Sequence, residues 1–337
     1  MNVLDWFEKL FGFKEESPKQ VKSNLILGDG FIASKVNGKE YKYGRLDILT
    51  LSELRNNVRK ENLKEKRCKI SEEIGDVQYF HQLSENEGAL FQAASQFNLL
   101  EMVNPNVSPE QGIGKYEYDL TQGPACAIAC GAGTVYRNYF VEINGKEGQT
   151  SDNQIDCLDI IGDFFNNAEL KLWEMKNGYA LANQPGLKFI SKRIANLNPQ
   201  EYEDLKGKLK VGIQWDAEVT INSNGRKVSQ IYCSALPVAY SMTSHVYWED
   251  FSKLILEATY EASLIAGIIN SQRTNNNRLY LTLVGGGAFG NKEQWIVESV
   301  LKSVKRYENT GLDIRFVSYS TPSKAVKNII EDFNKIS

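Results

Sequence analysis

The clearest hydrophobic patterns lie in the last third of the chain. Residues 249–269 carry a broad apolar face at helical spacing, which predicts a long helix packed against the core. Residues 278–284 (RLYLTLV) and 312–319 (LDIRFVSY) are short runs of β-branched, leucine and aromatic residues, which are typical of buried strands. A helical pattern from about 292 to 307 lies between them. Strand, helix and strand in this order predict a right-handed crossover with parallel strands.

Alternating patterns around Asn-Gly turn signals predict two β-hairpins. The first spans residues 25–49 around Asn37-Gly38, and the second pairs 211–221 with 227–235 around Asn224-Gly225. Residues 89–98 (ALFQAASQFN) form a further predicted strand, which runs into polar residues at its end.

The N-terminal region predicts an extension to the main domain. Residues 2–13 form an amphipathic pattern with Val3, Trp6, Phe7 and Leu10 on one helical face. Two interpretations stay open for this helix: packing on the domain, or docking on a partner or a membrane surface. A polar linker (14–23), a helix (51–60) and a charged connector (61–69) are also predicted. The expected organisation is an N-terminal extension over 1–70 and one domain over 71–337.

Composition narrows the class of protein. The chain has 337 residues, of which 42% are hydrophobic and 24% charged, as in a folded globular protein. A net charge of -3 gives no reason to expect nucleic acid as a partner. No apolar stretch approaches the ~18 residues that a membrane span needs. The 5 cysteines form no C-x-x-C pair and only 2 histidines are present, so we expect no metal site and a reducing, cytoplasmic location.

The loop that follows the strand at 278–284 carries the strongest candidate chemistry. It consists of Gly285, Gly286, Gly287, Ala288, Phe289 and Gly290, followed by Asn291. Glycines accept positive φ and let a ligand approach the backbone closely. Asn291, with Gln294 three residues later, resembles a capping box at the start of the next helix. Backbone amides at a strand's carboxyl end, above a helix N-terminus, predict a phosphate or pyrophosphate site.

The common nucleotide motifs are absent from this loop. There is no G-x-x-x-x-G-K-[ST] sequence, and no G-x-G-x-x-G followed by an acidic residue on the next strand. The alternative interpretation is a tight turn that binds nothing.

TLVGGGAFGN resembles the second ligand loop of macrodomains, the family of ADP-ribose-binding domains. In that family a long helix and a strand lead into a loop of the form G/S-x-G-[VIA]-[FY]-G. Here these segments are 249–269, 279–284 and 285–290, and the following helix and strand match the family's ending. The resemblance implies that the loop holds the diphosphate of ADP-ribose and that Phe289 lies over the distal ribose. No cofactor is implied.

The first ligand loop of that family is matched further upstream. ALFQAASQFN resembles the family's strand that ends in Asn-Ala-Ala-Asn, and Gly123-Pro124 opens a helix of small residues. The resemblance implies that Asn98 and Gln122 hold ribose hydroxyls. Gly-Asp-Val at 75–77 resembles a family motif that places an aspartate, here Asp76, on the adenine.

This chain also departs from a minimal macrodomain. Residues 141–210 look like an insertion, and with the N-terminal extension the chain is similar in size to the glycohydrolase-type members. Those members carry three glycines followed by a Gln-Glu-Glu catalytic signature, which is absent here. Their catalytic residues therefore cannot be carried over. The implied fold is an α/β class, three-layer α/β/α sandwich around a mixed, mainly parallel sheet.

Cleavage of ADP-ribose from an acceptor passes through an oxocarbenium-like transition state and needs a positioned water and a carboxylate. Asp119, just before Thr121-Gln122-Gly123-Pro124, is the first candidate, and Glu101 is the second. Three hypotheses follow: an ADP-ribosyl hydrolase, a module that binds ADP-ribose without cleaving it, and a similar fold with another nucleotide or no ligand. In the first two, the partner is ADP-ribose or an ADP-ribosylated protein.

Overall fold

The computed structural model describes residues 4–59, 66–222 and 225–335. Among the helices in these ranges, none combines the length and the apolar character required to cross a bilayer. The predicted connector at 61–69 lies partly outside the described residues. The turn residue Asn224 and Val3 of the predicted first helix lie wholly outside them.

The strands are β1 (Leu25–Leu27), β2 (Phe31–Ser34), β3 (Glu40–Lys42), β4 (Arg45–Thr50), β5 (Lys69–Ile74), β6 (Leu90–Ala94), β7 (Glu142–Ile143), β8 (Lys146–Glu147), β9 (Trp173–Lys176), β10 (Tyr179–Ala182), β11 (Lys210–Glu218), β12 (Lys227–Cys233), β13 (Arg278–Leu281) and β14 (Asp313–Ser318). The helices are α1 (Trp6–Phe11), α2 (Pro18–Asn24), α3 (Leu51–Asn57), α4 (Val77–Gln82), α5 (Gln122–Ala129), α6 (Gly131–Val135), α7 (Asp159–Phe165), α8 (Asn167–Leu170), α9 (Gln184–Ala195), α10 (Pro199–Lys206), α11 (His245–Thr274), α12 (Glu293–Arg306) and α13 (Lys324–Lys335).

The main sheet has 7 strands in the order β4-β11-β12-β6-β13-β14-β5. The pairings of β12, β6, β13, β14 and β5 are parallel, whereas β4, β11 and β12 pair antiparallel. The expected mixed, mainly parallel sheet is therefore confirmed. The predicted parallel pairing of the last two strands, joined by α12, is confirmed as well.

Helices cover both faces of this sheet. Side chains of successive strand residues point to opposite faces of the sheet. Two neighbouring residues of the central strand β6 identify the helices on each face. The ring of Phe91 stacks on His81 of α4, with ring centroids 3.8 Å apart. The side chain of the next residue, Gln92, instead donates to the hydroxyl of Ser263 in α11. The α/β/α sandwich is thus confirmed, with α4 and α5 on one face and α11 on the other.

Most patterned elements appear where the sequence predicts them, with shifted ends. The helix predicted at 249–269 runs from His245 to Thr274, and the strand predicted at 278–284 already ends at Leu281. The polar linker predicted at 14–23 is wrong, because α2 occupies most of it. Ser17 caps that helix by accepting from the Gln20 N–H, and Pro18 stands at its first position, which is a helix-start signal.

The N-terminal segment is built into the domain. Strand β4 lies within the predicted 1–70 extension but pairs with β11 at one edge of the main sheet. The division at residue 70 stays a prediction, and this pairing shows that the extension shares the sheet. The predicted insertion at 141–210 contains β7 to β10 and α7 to α10.

Helix α1 contributes to a second hydrophobic core. Asp5 caps its start by accepting from the Glu8 N–H, and Gly12 ends it with φ 79°. Phe7 and Phe11 are fully buried, and they pack in one cluster with residues of α5 and α6. Because its apolar face is covered by the domain, the packing interpretation holds. Within the described part of the segment, residues 4–13, the apolar side chains other than Leu4 are buried, so little apolar surface supports the alternative of docking on a partner or membrane surface.

We expect Phe7→Ala to lower the free energy of unfolding by about 3–5 kcal/mol, because a fully buried aromatic side chain would leave a cavity. Urea denaturation followed by circular dichroism measures this change. Leu4→Ala is the matched control, since Leu4 is 44% exposed and should lose less than about 1 kcal/mol. Equal, small losses in both variants would contradict the packing of α1.

Candidate functional site

A cleft opens where the central strands β6 and β13 separate at their carboxyl ends. Their pairing stops at Tyr280 and Phe91. Beyond it, the Thr282 N–H donates to the side-chain oxygen of Gln92 at 3.0 Å instead of to a strand carbonyl. The fully buried Gln92 side chain therefore bridges the gap between the two strands. Open α/β sheets bind ligands at such a position, outside the carboxyl ends of the strands.

Gln122 joins the start of α5 to the same strand. Its side-chain nitrogen donates to the Gln92 carbonyl at 2.6 Å, and its side-chain oxygen accepts from the Ala94 N–H at 3.1 Å. Both ends of the amide are therefore occupied by β6, which argues against its predicted role on a ribose hydroxyl. The N-cap residue Thr121 makes no side-chain cap, and the N–H groups of Gln122 and Gly123, which line the cleft, have no acceptor among the described residues.

The glycine loop forms the opposite wall of the cleft. Gly285 and Gly290 have φ 80° and 70°, values that favour glycine. Over the described ranges, the N–H groups of Gly287, Ala288 and Phe289 have no hydrogen-bond partner. Successive free amides in one loop are able to bind an anion when they point into a common hollow.

The predicted capping box at Asn291 is wrong. Helix α12 begins at Glu293 with Lys292 as its N-cap and without a side-chain cap. The Asn291 amide instead donates to the carbonyls of Leu236 and Gly285, at 2.8 and 3.2 Å. Asn291 is buried, and its side-chain amide therefore links the first residue of the glycine loop, Gly285, to Leu236.

The main cleft, with a volume of about 220 Å³, brings most of the predicted site residues together. The predicted residues on its wall are Glu101, Asp119, Gln122, Gly123, Pro124, Gly285, Gly287, Ala288 and Phe289. Segments almost 200 residues apart in the chain therefore meet here.

Five predicted residues lie off the wall of this cleft, and one of them, Asp76, lines a second hollow described below. Gly286, Gly290 and Asn291 belong to the glycine loop but do not line the cleft. Asn98 is fully buried, donates to the Gln154 side chain and accepts from the Leu100 N–H. It shapes the turn that carries Glu101, so its predicted contact with a ribose hydroxyl has no support in its position.

One end of the cleft is aromatic. The rings of Tyr179, Tyr240 and Phe289 pack against one another with centroid distances of 5.1 to 5.8 Å. The Tyr179 hydroxyl also donates to the Met102 carbonyl at 2.6 Å. Sequence reasoning missed both tyrosines. Tyr179 lies in the segment interpreted as an insertion, and no motif surrounds it.

A second hollow of about 490 Å³ continues from the first. The two share Asp119, Thr121, Gln122 and Thr282 in their walls. Asp76 lines this second hollow, where its carboxylate also caps α4 by accepting from the Gln78 N–H at 2.8 Å. Val317 and the exposed Tyr319, which the sequence did not single out, form an apolar part of its wall.

Glu101 is held in the cleft wall by a strained turn. The preceding Leu99 has φ 64°, an uncommon conformation for leucine that costs about 1–3 kcal/mol. The Glu101 carboxylate packs against α5 at Gly123, where any β-carbon would lie 2.4 Å from Oε2 and 1.9 Å from the Ala94 carbonyl oxygen. Only glycine at 123 leaves room for this carboxylate. Its other oxygen, Oε1, is buried with no hydrogen-bond partner among the described residues.

Burial raises the pKa of Glu101 well above its ordinary value of 4.5. The negative charge of Asp119 adds to this rise, and the positive charge of Arg137 opposes it. Arg137 is itself fully buried. Its guanidinium lies 3.6 Å from the centre of the Tyr232 ring and donates to the Leu99 carbonyl. The cleft thus holds a buried carboxyl group whose neutral form is favoured by burial.

Asp119 stands in a different environment. It is half-buried and lines both hollows, and its carboxylate accepts from the Thr121 N–H at 2.9 Å. This bond matches the turn role that aspartate often has, and the residue still faces the cleft. The site therefore combines a fully buried carboxyl group with a half-buried one.

No group of His, Cys, Asp and Glu side chains suited to a metal ion occurs in the part of the chain that the structure describes. All five cysteines are buried free thiols.

Comparisons with known proteins give structural neighbours only. A poly(ADP-ribose) glycohydrolase from Deinococcus radiodurans in complex with ADP-ribose is similar with a TM-score of 0.46 at 9% identity, over 86% of this chain and 94% of that chain. The enzyme of the same name from Thermomonospora curvata is similar with a TM-score of 0.45 at 12% identity, over 91% of this chain and 93% of that chain. No family model and no curated protein matches this chain.

These neighbours are of the large glycohydrolase type to which the sequence resemblance points. At such low TM-scores and sequence identities, the structural similarity gives no information about the activity of this protein.

Glu101→Gln should change how stability depends on pH. A carboxyl whose pKa is raised by folding stabilises the protein fully below its unfolded pKa, near 4.5, and this stabilisation is lost as pH rises through the folded pKa. The variant has no such loss. Its free energy of unfolding should therefore rise relative to that of the wild type between pH 5 and pH 8. Urea titrations of both proteins at several pH values measure the difference. Parallel curves would show that Glu101 is not buried as described.

Proposed function

We propose that this protein is an ADP-ribosyl hydrolase, which releases ADP-ribose from an acceptor by attack of water on the anomeric carbon. The observation that carries the proposal is the meeting of free backbone amides with a buried carboxyl group in one cleft. The amides come from residues 287–289 and from the start of α5, and the carboxyl group is that of Glu101.

The diphosphate is proposed to lie between the glycine loop and the N-terminus of α5. Both present unpaired N–H groups, and the partial positive charge at a helix N-terminus adds to the attraction for an anion. This fits a ligand held mainly by backbone groups.

The adenosine end is proposed to occupy the second hollow. Asp76 offers a carboxylate acceptor for an exocyclic amine there, and Val317 and Tyr319 provide apolar contact. At the other end, the aromatic group of Tyr179, Tyr240 and Phe289 bounds the cleft and limits the position of the ribose.

The two carboxyl groups are suited to different steps. The protonated Glu101 donates its proton to the leaving atom as the bond from that atom to the anomeric carbon breaks. Asp119 accepts a proton from the attacking water, whose oxygen bonds to the anomeric carbon. The acceptor leaves with the proton from Glu101, and solvent exchange then restores both carboxyl groups.

The second candidate is a module that binds ADP-ribose without cleaving it. One observation favours it: the Asp119 carboxylate already accepts the Thr121 N–H, as in a purely structural turn. Binding and turnover must therefore be measured separately.

Gly287→Glu tests the phosphate site. A β-carbon at Gly287 meets no atom within 4 Å, so the substitution is compatible with folding, and it places a negative charge in the cleft. We expect the affinity for ADP-ribose, measured by calorimetry, to fall at least about 100-fold through charge repulsion. Gly287→Gln has the same size without the charge and should bind more tightly than Gly287→Glu. Equal affinities of wild type and Gly287→Glu would exclude a phosphate site here.

Single-turnover release of ADP-ribose from a mono-ADP-ribosylated protein tests the chemistry. Glu101→Gln and Asp119→Asn should each slow release about 10²-fold or more, as for loss of a positioned acid or base. Binding of free ADP-ribose should survive in both variants. Glu142→Gln, an exposed carboxylate outside the cleft, is the control. If the wild type binds ADP-ribose but releases none, the binding module replaces the hydrolase.

A further inference from the structure

Arg137 is a fully buried cation that donates its hydrogen bonds to uncharged acceptors. Its Nε donates to the Leu99 carbonyl at 3.1 Å. The two terminal nitrogens donate to the Gln214 side-chain oxygen at 3.3 Å and to the Thr134 hydroxyl at 3.0 Å. Burying a cation among neutral acceptors is unfavourable. The planar guanidinium reaches three separate acceptors at once, which a lysine ammonium group on its single stem is less suited to do.

The Leu99 carbonyl connects Arg137 to the cleft. Leu99 stands two residues before Glu101, at a φ of 64° that leucine rarely adopts. On the other side of the turn, the Tyr116 hydroxyl accepts the Glu101 N–H at 2.8 Å. The strained backbone that presents the Glu101 carboxyl group is therefore held at both ends, and Arg137 provides one of the two bonds.

The charge of Arg137 also acts on the Glu101 carboxyl group, in the direction opposite to that of Asp119. The other titratable groups that interact with Glu101 from the surrounding elements are Tyr116, Cys126, Tyr179, Tyr232 and Cys233. Burial raises the pKa of each of these five groups above its ordinary value, so they stay neutral near neutral pH. Among the described residues, the charges that act on Glu101 are therefore those of Arg137 and Asp119.

The balance of these effects matters for an acid. A general acid works best when its proton affinity is matched to the working pH. Burial and Asp119 both raise the pKa of Glu101, and with nothing to oppose them the carboxyl group would hold its proton too firmly to give it up. Arg137 opposes that rise while its own hydrogen bonds go to neutral acceptors.

We propose that Arg137 is a positioning residue, which fixes the Glu101 carboxyl group through the Leu99 carbonyl and whose charge eases release of the Glu101 proton to the leaving atom. The inference rests on the proposed function, because that function makes Glu101 the acid. Arg137 exchanges no proton itself, since its guanidinium stays charged at all relevant pH values. It acts only through Glu101.

The proton affinity of Glu101 is the direct test, and it requires no turnover. NMR follows the titration in protein labelled isotopically at the glutamate carboxyl carbons, and Glu101→Gln assigns the signal. In Arg137→Met the midpoint should rise by about one pH unit or more, because an opposite charge is lost. Arg137→Lys keeps the charge and should titrate like the wild type. Thr134→Val removes one acceptor of the guanidinium but no charge, and should also leave the midpoint unchanged.

Single-turnover release of ADP-ribose from a mono-ADP-ribosylated protein tests the consequence. The rate of the wild type should fall as pH rises through the Glu101 midpoint, because the neutral form is the donor. In Arg137→Met this fall should move to higher pH, and the maximal rate should drop about tenfold, since a group that binds its proton more tightly is a weaker acid. Arg137→Lys should keep the position of the fall but lose about threefold or more in maximal rate, because it lacks the planar fork that holds Leu99. A merely structural residue would lower the rate without moving the pH profile.

The outcomes separate this inference from the proposed function. An unchanged Glu101 midpoint in folded Arg137→Met, or the full rate in Arg137→Lys, would overturn the inference. If Arg137→Met does not fold, Arg137→Lys decides: a wild-type midpoint with a reduced rate supports the inference, and any other combination overturns it. If the wild type binds ADP-ribose but releases none, the proposed function is overturned, and the NMR titrations still decide whether Arg137 acts on Glu101.

Discussion

The hydrogen bonds of the buried Gln92 side chain determine where the cleft opens. Gln92 accepts the Thr282 N–H across the gap between β6 and β13 and donates to Ser263 of α11, while its backbone carbonyl accepts the Gln122 side chain. One residue therefore connects both central strands to a helix on each face of the sheet. An apolar side chain at this position would leave the Thr282 N–H without its acceptor, and a buried amide without a partner costs about 1–3 kcal/mol.

The buried Glu101 carboxyl group is the least favourable feature of the site for stability. It requires a leucine at positive φ, a glycine at 123 and an oxygen without a hydrogen-bond partner. Unfavourable features of this kind collect at functional sites, because a shifted pKa requires removal from water. Arg137, buried beside the same turn, limits the penalty through its opposite charge.

The N-terminal segment and the segment 141–210 both contribute contacts that support the cleft. Glu15, in the N-terminal segment, accepts the N–H groups of Ile113 and Gly114 and a hydrogen bond from the Tyr139 hydroxyl. It thereby holds the turn at residues 112–114 in place. The segment 141–210 contributes Tyr179, whose ring and hydroxyl contact both the glycine loop and the turn near Met102. Both segments therefore contribute residues that hold the walls of the cleft in place.

Local patterning in the sequence indicated α11, α12, the strands β6 and β11 to β14, and the glycine loop, because apolar spacing and glycine conformation act over a few residues. The resemblance to macrodomain loops indicated Glu101 and Asp119 as candidate carboxylates. It did not determine their environments, since the raised pKa of Glu101 depends on residues as distant as Arg137. It also did not reveal that the Gln122 and Asn291 amides bond to backbone that only the fold brings near, or that the Asn98 amide bonds to the Gln154 side chain. Burial and hydrogen-bond partners arise from long-range packing, and tertiary structure alone decides them.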